Sequence, residues 1–382
     1  MGWEENYKAL SKISDSKAPQ PKLFIGASTA ALRFCALIAS TITGHNHTKD
    51  LMEQFTLHMR FTPGDTSTGL ALLMQALFHK AAPPALVPQI IAHPSMHLAI
   101  MVTSMKRPWT AAPDIILRLA FSSYLCAYAV WPRLPVTNLI FDRLCYYSGP
   151  SPPAFMASQP DVTCIPLTQG NFYEVLQATT AIPFLHRRVR HLPGAGEGLF
   201  YDGAVSDYML NALLTDPDRP ALLLSHGPVV QRVMVDVLLP WDRRLPRAYH
   251  ANLSVLSPTP WFVSQLPGRV IPDTWDYFKP EFVKAPEKRH ALWRGAYDLS
   301  LRLWPSSFLQ LVQAWQLDHP KRKRGVESSD ASRSRSTHGS GCWRCLTRCR
   351  AGGTSVGDER IEVAVFDDLP PAGEDRSLQQ ST

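Results

Sequence analysis

The sequence predicts an α/β fold in which helices cover a mainly parallel central sheet. Two observations lead to this prediction. Short apolar segments of strand character alternate along the chain with longer segments of helical periodicity, as in folds built from β-α-β units. The composition, with 45% hydrophobic and 19% charged residues in a chain of 382, is that of a globular protein with a sizeable core.

The predicted elements follow one another in a regular order up to about residue 305. Strands are expected at Leu23–Ile25, His97–Thr103, Val162–Ile165, Leu199–Tyr201, Ala221–Ser225 and Leu253–Leu256. Helices are expected from the turn after the first strand to Ser40 and over Ile115–Trp131, Gln169–Ala178 and Glu287–Trp304. The segment Ile115–Trp131 carries Arg118 and two serines, so we interpret it as a buried or amphipathic helix rather than a membrane span.

A change in composition at about residue 320 divides the chain into a predicted folded domain, residues 1–320, and a predicted disordered tail, residues 321–382. The tail is rich in Ser, Arg and Gly and has few aliphatic residues, so it buries too little apolar surface to offset its ordering entropy. Its cysteines allow three interpretations: a Cys3His zinc knuckle, palmitoylation beside a basic patch, or a solvated chain. The residues concerned are His338, Cys342, Cys345 and Cys349.

Charge and cysteine usage limit the setting in which the protein works. Residues 321–350 carry a net charge of +7 and residues 351–382 one of −5, so residues 1–320 carry +5 and are only mildly basic. This charge fits an anionic lipid surface and gives little reason to expect nucleic acid as a partner. The first 17 residues contain no apolar segment of the signal-peptide type. Four cysteines stand singly in apolar surroundings: Cys35, Cys126, Cys145 and Cys164. Unpaired cysteines of this kind indicate a reducing compartment. We therefore predict a cytoplasmic protein with membrane association through the tail.

The segment LFIGASTAALRF, residues 23–34, has the pattern of a nucleophile elbow. A short apolar strand leads into a turn of small residues with Ser28 at its apex, and a helix follows. The alternative interpretation is an ordinary serine at a helix N-terminus. A serine hydroxyl is a weak nucleophile until a base takes its proton, so the elbow interpretation requires a base elsewhere in the chain.

The best candidate for that base is Asp202, in the segment GLFYDGAVSDY at residues 198–208. Asp202 ends an apolar strand and is followed by the small residues Gly203 and Ala204. An Asp-Gly pair by itself predicts no more than a β-turn. A carboxylate at the end of a strand, however, lies where α/β sheets bind their ligands, so Asp202 is also a candidate general base.

Together these motifs resemble those of the patatin-like phospholipases. The order of an elbow at Gly26–Ala30, a small-residue stretch at Ala178–Pro183 and the tripeptide Asp202–Ala204 is similar to the order in that family. The resemblance covers about residues 20–305 and is nearest to a bacterial-type branch. It implies a three-layer fold with a mainly parallel central sheet between helices.

The resemblance also implies an activity. Members of the family cleave acyl esters of phospholipids and other lipids through a Ser-Asp dyad, without a metal or another cofactor. Carried over to this chain, Ser28 attacks the ester carbonyl, and Asp202 takes the hydroxyl proton and later activates water. The implied partners are a lipid substrate and a membrane surface that the protein contacts peripherally. The residues that would support the elbow turn and stabilise the oxyanion are Gly26, Thr29, Ala30 and Gly203.

The sequence departs from the family pattern ahead of the elbow. Patatin-like enzymes carry a glycine-rich loop before the serine, and its amides stabilise the oxyanion. Here only 27 residues precede Ser28, and Gly2 is the one glycine before Gly26, so we expect an N-terminally incomplete domain. Ala30 also replaces the last elbow glycine. Two functions therefore stay open: an acyl hydrolase, and a catalytically inactive lipid-binding or scaffolding relative.

Histidines offer two weaker alternatives. His226 and His250 follow Asp202 in the chain order of a Ser-His-Asp triad. His93 and His97 stand four residues apart, but Pro94 makes a shared helical face improbable, so we interpret them as ordinary loop and strand residues rather than metal ligands.

Overall fold

A computed structural model gives the fold of residues 22–58, 67–107, 109–130, 139–183, 186, 188–207, 221–225, 253–272, 276 and 279–300. These residues all belong to the first of two compact units, which ends at Gln310. The tail predicted at residues 321–382 lies outside the described residues, as do the N-terminal residues 1–21.

The strands lie close to where the sequence predicts them, with two additions, β3 and β5. Their bounds are β1 Lys22–Gly26, β2 Met96–Met105, β3 Phe141–Tyr147, β4 Val162–Pro166, β5 Val189–Leu192, β6 Gly196–Asp202, β7 Ala221–Leu224 and β8 Leu253–Leu256. Strand β2 reads MHLAIMVTSM and is buried over most of its length, as expected for a central strand covered on both faces.

The helices alternate with these strands, and four of them match the predicted segments. Their bounds are α1 Thr29–Thr43, α2 His47–Glu53, α3 Ser67–Ala81, α4 Val87–Ile91, α5 Asp114–Val130, α6 Ala154–Ala157, α7 Phe172–Thr179, α8 Pro260–Gln265, α9 Pro280–Lys284 and α10 over residues 286–300. A π-helical turn, Gln54–His58, follows α2. Single 3-10 turns occur at Pro84–Leu86, Trp109–Ala111, Gly203–Val205 and Pro267–Arg269.

The main sheet is mixed, so the expectation of a mainly parallel sheet is wrong. Its order is β4-β3-β2-β6-β5, and β1 shares with β6 the same edge of β2. The pairs β1–β2 and β3–β4 are parallel, whereas β2–β3, β2–β6 and β5–β6 are antiparallel. The difference arises because β3, β4 and β6 run against the direction of β2, whereas β1 and β5 run with it. A separate two-stranded parallel sheet is formed by β7 and β8.

Helices cover both faces of the main sheet. Leu98, Ile100 and Val102 of β2 pack in one core with α1, α3 and α7. The alternate residues of β2 point to the opposite face, where Met101 packs with α6 and Met105 packs with α5. The sheet is therefore the middle of three layers. Within the described part of the chain, no helix combines the length and the apolar character needed to cross a membrane.

Two of the cysteines expected to stand singly are neighbours. Cys145 and Cys164 are register partners on the parallel strands β3 and β4, and their thiols are hydrogen-bonded to each other. This contact lowers the pKa of Cys164 to about 7, and it raises the pKa of the buried Cys145. Cys35 is fully buried, and burial raises the pKa of its thiol to about 12. Cys126 is exposed, so only part of this set behaves as buried small hydrophobes.

Candidate active site

Strands β1 and β6 bring the two predicted site residues together by approaching each other end to end. Strand β1 runs parallel to β2 and ends with Gly26 opposite Ile100. Strand β6 runs antiparallel to the same edge of β2 and ends with Asp202 opposite Val102. The carboxyl ends of both strands therefore meet across a single residue of β2, and Ser28 lies two residues beyond the end of β1.

Ser28 has the backbone conformation of a strained elbow. Its φ of 55° and ψ of −133° lie in a region that residues with a side chain rarely adopt. Helix α1 begins at the next residue, and the Ala31 amide donates to the Ser28 carbonyl at 3.1 Å. The sharp turn thus lifts the Ser28 side chain away from the strand and places it at the N-terminus of α1.

Gly26 allows β1 and α1 to approach closely at the elbow. A Cβ atom at Gly26 would lie 2.9 Å from the Ala31 nitrogen and 3.0 Å from the Ala30 carbonyl carbon, closer than real Cβ contacts. Ala30, which stands where the family pattern has glycine, is only half-buried. The extra methyl group at Ala30 is therefore tolerated, whereas one at Gly26 would push the helix from the strand.

Asp202 is buried, and the Ser28 side chain lies beside its carboxylate, where it favours the charged form. Only 2% of the residue is exposed. Its Oδ1 atom also accepts the Ala204 amide at 2.9 Å, as the cap of the 3-10 turn that follows β6. The structure thus brings the candidate nucleophile and the candidate base into direct contact.

Burial sets the charge state of this carboxylate. It raises the pKa of Asp202 from 3.8 to about 6, because a charged carboxylate loses its hydration inside the protein. Hydrogen bonds from Ser28 and Ala204 favour the charged form and limit the rise. At neutral pH Asp202 is therefore ionised, and it is a stronger base than an exposed aspartate.

Two residues, Thr179 and Gly203, fix the elbow and the Asp202 turn to the sheet. The Ser28 amide donates to the Thr179 carbonyl at 3.1 Å and to Thr179 Oγ1 at 3.0 Å, and the Thr179 hydroxyl donates to the Met101 carbonyl at 2.6 Å. Gly203 presses against the same carbonyl, since a Cβ there would lie 2.4 Å from the Met101 oxygen. The gap between β1 and β6 is thus closed by Thr179 and Gly203.

The four residues predicted to support the oxyanion contribute unequally. Gly26 and Gly203 act by permitting close packing. The Ala30 amide donates to Ala27 at 3.1 Å and is not free for a ligand. Among the described residues no acceptor contacts the Thr29 amide, the first of the 15-residue helix α1, so it can donate to an anion at the helix N-terminus. Residues 1–21, whose sequence contains no glycine-rich loop, lie outside the described part.

A polar network braces the Asp202 turn from the other face of the sheet. The Thr103 hydroxyl lies 2.9 Å from the Asp202 carbonyl and 2.7 Å from the Ser206 hydroxyl. Asp207, which is 1% exposed, pairs with Arg143 on β3 at 2.7 Å, and Arg143 also binds Asp161. Sequence reasoning missed this network. The second aspartate of DGAVSD was its one visible signal.

The described residues give no support to a Ser-His-Asp triad or to a metal site at His93 and His97. His226 and His250 lie outside them. His93 Nδ1 accepts the Met96 amide at 3.1 Å and therefore caps the turn into β2. His97, on β2, packs against Gly149, which follows the end of β3.

A comparison of the chain with models of protein families, with curated proteins and with solved structures finds no match.

We expect the strain at Ser28 to reverse the usual preference for alanine over glycine. Both Ser28→Gly and Ser28→Ala remove the hydroxyl, but only glycine adopts this backbone conformation freely. Ser28→Gly should therefore be more stable than Ser28→Ala by about 1 kcal/mol, measured by urea unfolding.

Ser40, inside the same helix α1, is the matched control. There alanine should be more stable than glycine by about 1 kcal/mol, because the backbone is helical. Equal stability of the two Ser28 variants would contradict a strained elbow.

We expect Asp202→Asn to stabilise the fold above pH 6. The raised pKa means that the folded state binds a proton more tightly than the unfolded state, so the wild type loses stability as the pH rises from about 4 to 6. A two-unit shift corresponds to about 3 kcal/mol, and the neutral amide avoids this loss. The gain should vanish below pH 4 in urea unfolding measured at several pH values.

Asp207→Asn provides the contrast at a carboxylate of equal burial. It removes the more buried of the two carboxylates that pair with Arg143 and leaves Asp161 in place, so it should cost about 1.5–3 kcal/mol at neutral pH. If Asp202→Asn lowered stability at pH 8 as Asp207→Asn does, the account of Asp202 as a costly buried charge would be wrong.

Proposed function

We propose that this chain is a carboxylic ester hydrolase that works through Ser28 and Asp202, and that its substrates are acyl esters of phospholipids or other lipids. One observation carries the proposal: the hydroxyl of a serine at a strained strand-to-helix turn lies beside a buried carboxylate whose pKa is about 6. A serine with only a structural role does not require this strained backbone conformation. An aspartate with only a structural role is seldom buried without a cation beside it.

The proposed reaction begins with attack by Ser28 Oγ on the ester carbonyl carbon. The hydroxyl proton passes to Asp202, and the carbonyl oxygen becomes an oxyanion. The Thr29 amide and the N-terminus of α1 are the donors of the described chain placed to stabilise that charge. Collapse of the tetrahedral intermediate breaks the bond to the alcohol, which leaves with the proton from Asp202, and an acyl-enzyme remains on Ser28.

Hydrolysis of the acyl-enzyme repeats these steps with water. Asp202 takes a proton from the water molecule, and the resulting hydroxide adds to the acyl carbon. The Ser28 oxygen then leaves, recovers the proton from Asp202, and the fatty acid is released. Both steps require Asp202 to be ionised at the start, which its pKa of about 6 permits at neutral pH.

The lipid part of the proposal rests on the resemblance to the patatin-like phospholipases. In support, the elbow, the small-residue stretch and the Asp202 turn all border one site: Thr179 of the small-residue stretch holds the Ser28 amide, and the Ala181 carbonyl accepts the Asp202 amide at 3.0 Å. We propose peripheral contact with a membrane on the same basis, with the tail as the tether.

A second candidate function is lipid binding without turnover. It is favoured by the oxyanion side of the site, where Ala30 and Ala31 at the start of α1 already donate to the backbone and Thr29 is the amide of that turn with no acceptor among the described residues. Loss of one oxyanion donor typically costs about 10²–10³ in rate, so a site with too few donors would bind an ester and turn it over slowly.

We expect a fluorophosphonate probe to label Ser28 of the full chain. Serine Oγ bonds to phosphorus, fluoride leaves, and Asp202 takes the hydroxyl proton. The labelling rate should be half-maximal near pH 6, because only ionised Asp202 accepts the proton. Ser28→Ala should abolish labelling, and Asp202→Asn should slow it by about 10²–10⁴-fold, as measured by mass spectrometry of the labelled peptide.

Ser264→Ala, at an exposed serine of α8, is the control and should label as the wild type does. Absence of label on a protein shown to be folded would overturn the hydrolase proposal. Flotation with phosphatidylcholine vesicles would then test the second candidate, which predicts that wild type, Ser28→Ala and Asp202→Asn bind equally.

A further inference from the structure

The turn between α1 and α2 places three potential metal ligands side by side. Helix α1 ends at Gly44, whose positive φ of 74° reverses the chain. Asn46 caps α2 by accepting the Lys49 amide at 2.9 Å. His45 precedes this cap, His47 is the first residue of α2, and Asp50 follows His47 by nearly one helical turn.

The ligand atoms of these side chains are already close. His45 Nε2 lies 2.7 Å from Asp50 Oδ2. The rings of His45 and His47 meet edge to face with centroids 4.8 Å apart. One ligand atom from each of the three residues lies within 4.8 Å of the other two. Tetrahedral zinc, with bonds of about 2.0–2.1 Å, needs neighbouring ligand atoms about 3.3 Å apart, so small side-chain rotations would suffice.

The chemistry of this group selects a class of metal ion. Two imidazole nitrogens and one carboxylate oxygen suit zinc and its first-row neighbours, whereas magnesium and calcium prefer oxygen ligands alone. The His45 side chain is 59% exposed, which leaves a path for the ion and room for water as a fourth ligand.

We propose that His45, His47 and Asp50 form a binding site for a divalent transition-metal ion, zinc first, at the turn between α1 and α2. The site is independent of the proposed hydrolase function. The 15-residue helix α1 is about 22 Å long, so an ion at its C-terminal end lies too far from Ser28 to touch a substrate. The ion would instead join the end of α1 to the start of α2 and stabilise the folded state.

A positive charge near the site, that of Lys80, allows a further test of the proposal. Lys80 of α3 lies close enough to His47 for the two side chains to interact electrostatically. The same charge repels a bound cation, so Lys80→Gln should tighten binding of the ion by a few-fold. Removal of a ligand should have the opposite effect. A surface that attracted cations only through its acidic residues would not depend on the histidines.

Isothermal titration of the metal-free full chain with zinc chloride at pH 7 tests the site. The tail offers competing thiols, so Cys342→Ser, Cys345→Ser and Cys349→Ser are combined as the background for every sample. We expect one zinc ion per chain with a dissociation constant of about 10 µM or lower. Zinc should also raise the thermal unfolding midpoint, since it binds the folded state, and magnesium should do neither.

Variants decide whether binding occurs at this turn. His45→Gln, His47→Gln and Asp50→Asn should each weaken zinc binding at least about tenfold. His191→Gln, at an exposed histidine of β5, is the matched control and should bind as the background does. Because His45 lies outside both helices, its variant should keep its fold, which circular dichroism checks. Absence of zinc binding, or equal affinity in the three variants and the control, would overturn the proposal and leave a plain His45–Asp50 hydrogen bond.

Discussion

The arrangement of the site depends on one feature of the sheet: a single edge of β2 is long enough to pair with two strands in succession. Strand β1 occupies its first half and β6 its second half, and they run toward each other. Two strand ends that meet in this way leave one residue, Met101, without a partner on this edge of β2, although it pairs with Cys145 of β3 on the opposite edge. Thr179 and Gly203 close that gap, and their contacts place Ser28 beside Asp202. A side chain on Gly203 or the loss of the Thr179 hydroxyl would disturb both partners together.

Both site residues are held in states that oppose folding, and the surrounding core compensates for them. Ser28 carries backbone strain, and Asp202 carries a buried negative charge with no cation beside it among the described residues. Such features persist only where neighbouring structure determines them. The apolar core of α1, α3 and α7 on one face and the Arg143–Asp207 pair on the other supply that support. The contrast between the two buried aspartates is informative, because Asp207 has a cation and Asp202 has only hydrogen-bond donors.

Local sequence patterns predicted the parts of the fold that local physics determines. Strand β1, the turn at Ser28, helix α1 and the strand ending at Asp202 each carry their own signal of apolar runs and small residues. The direction of pairing carries no such signal. Strand β3 was missed because Asp142 and Arg143 interrupt its apolar pattern, and those polar residues are there to make ion pairs with Lys106 and with Asp161 and Asp207. Likewise, the contact of Cys145 with Cys164 depends on register between strands, which sequence spacing does not reveal.

The balance of forces on Asp202 explains how a carboxylate could serve as a base without a histidine. An exposed aspartate, with a pKa near 3.8, holds a proton too weakly to draw one from a serine. Complete burial without donors would raise the pKa so far that the group would be protonated at neutral pH. Hydrogen bonds from Ser28 and Ala204 counter part of the burial and leave the pKa at about 6. The group is then charged at pH 7 and still basic, which is the compromise that general-base catalysis requires.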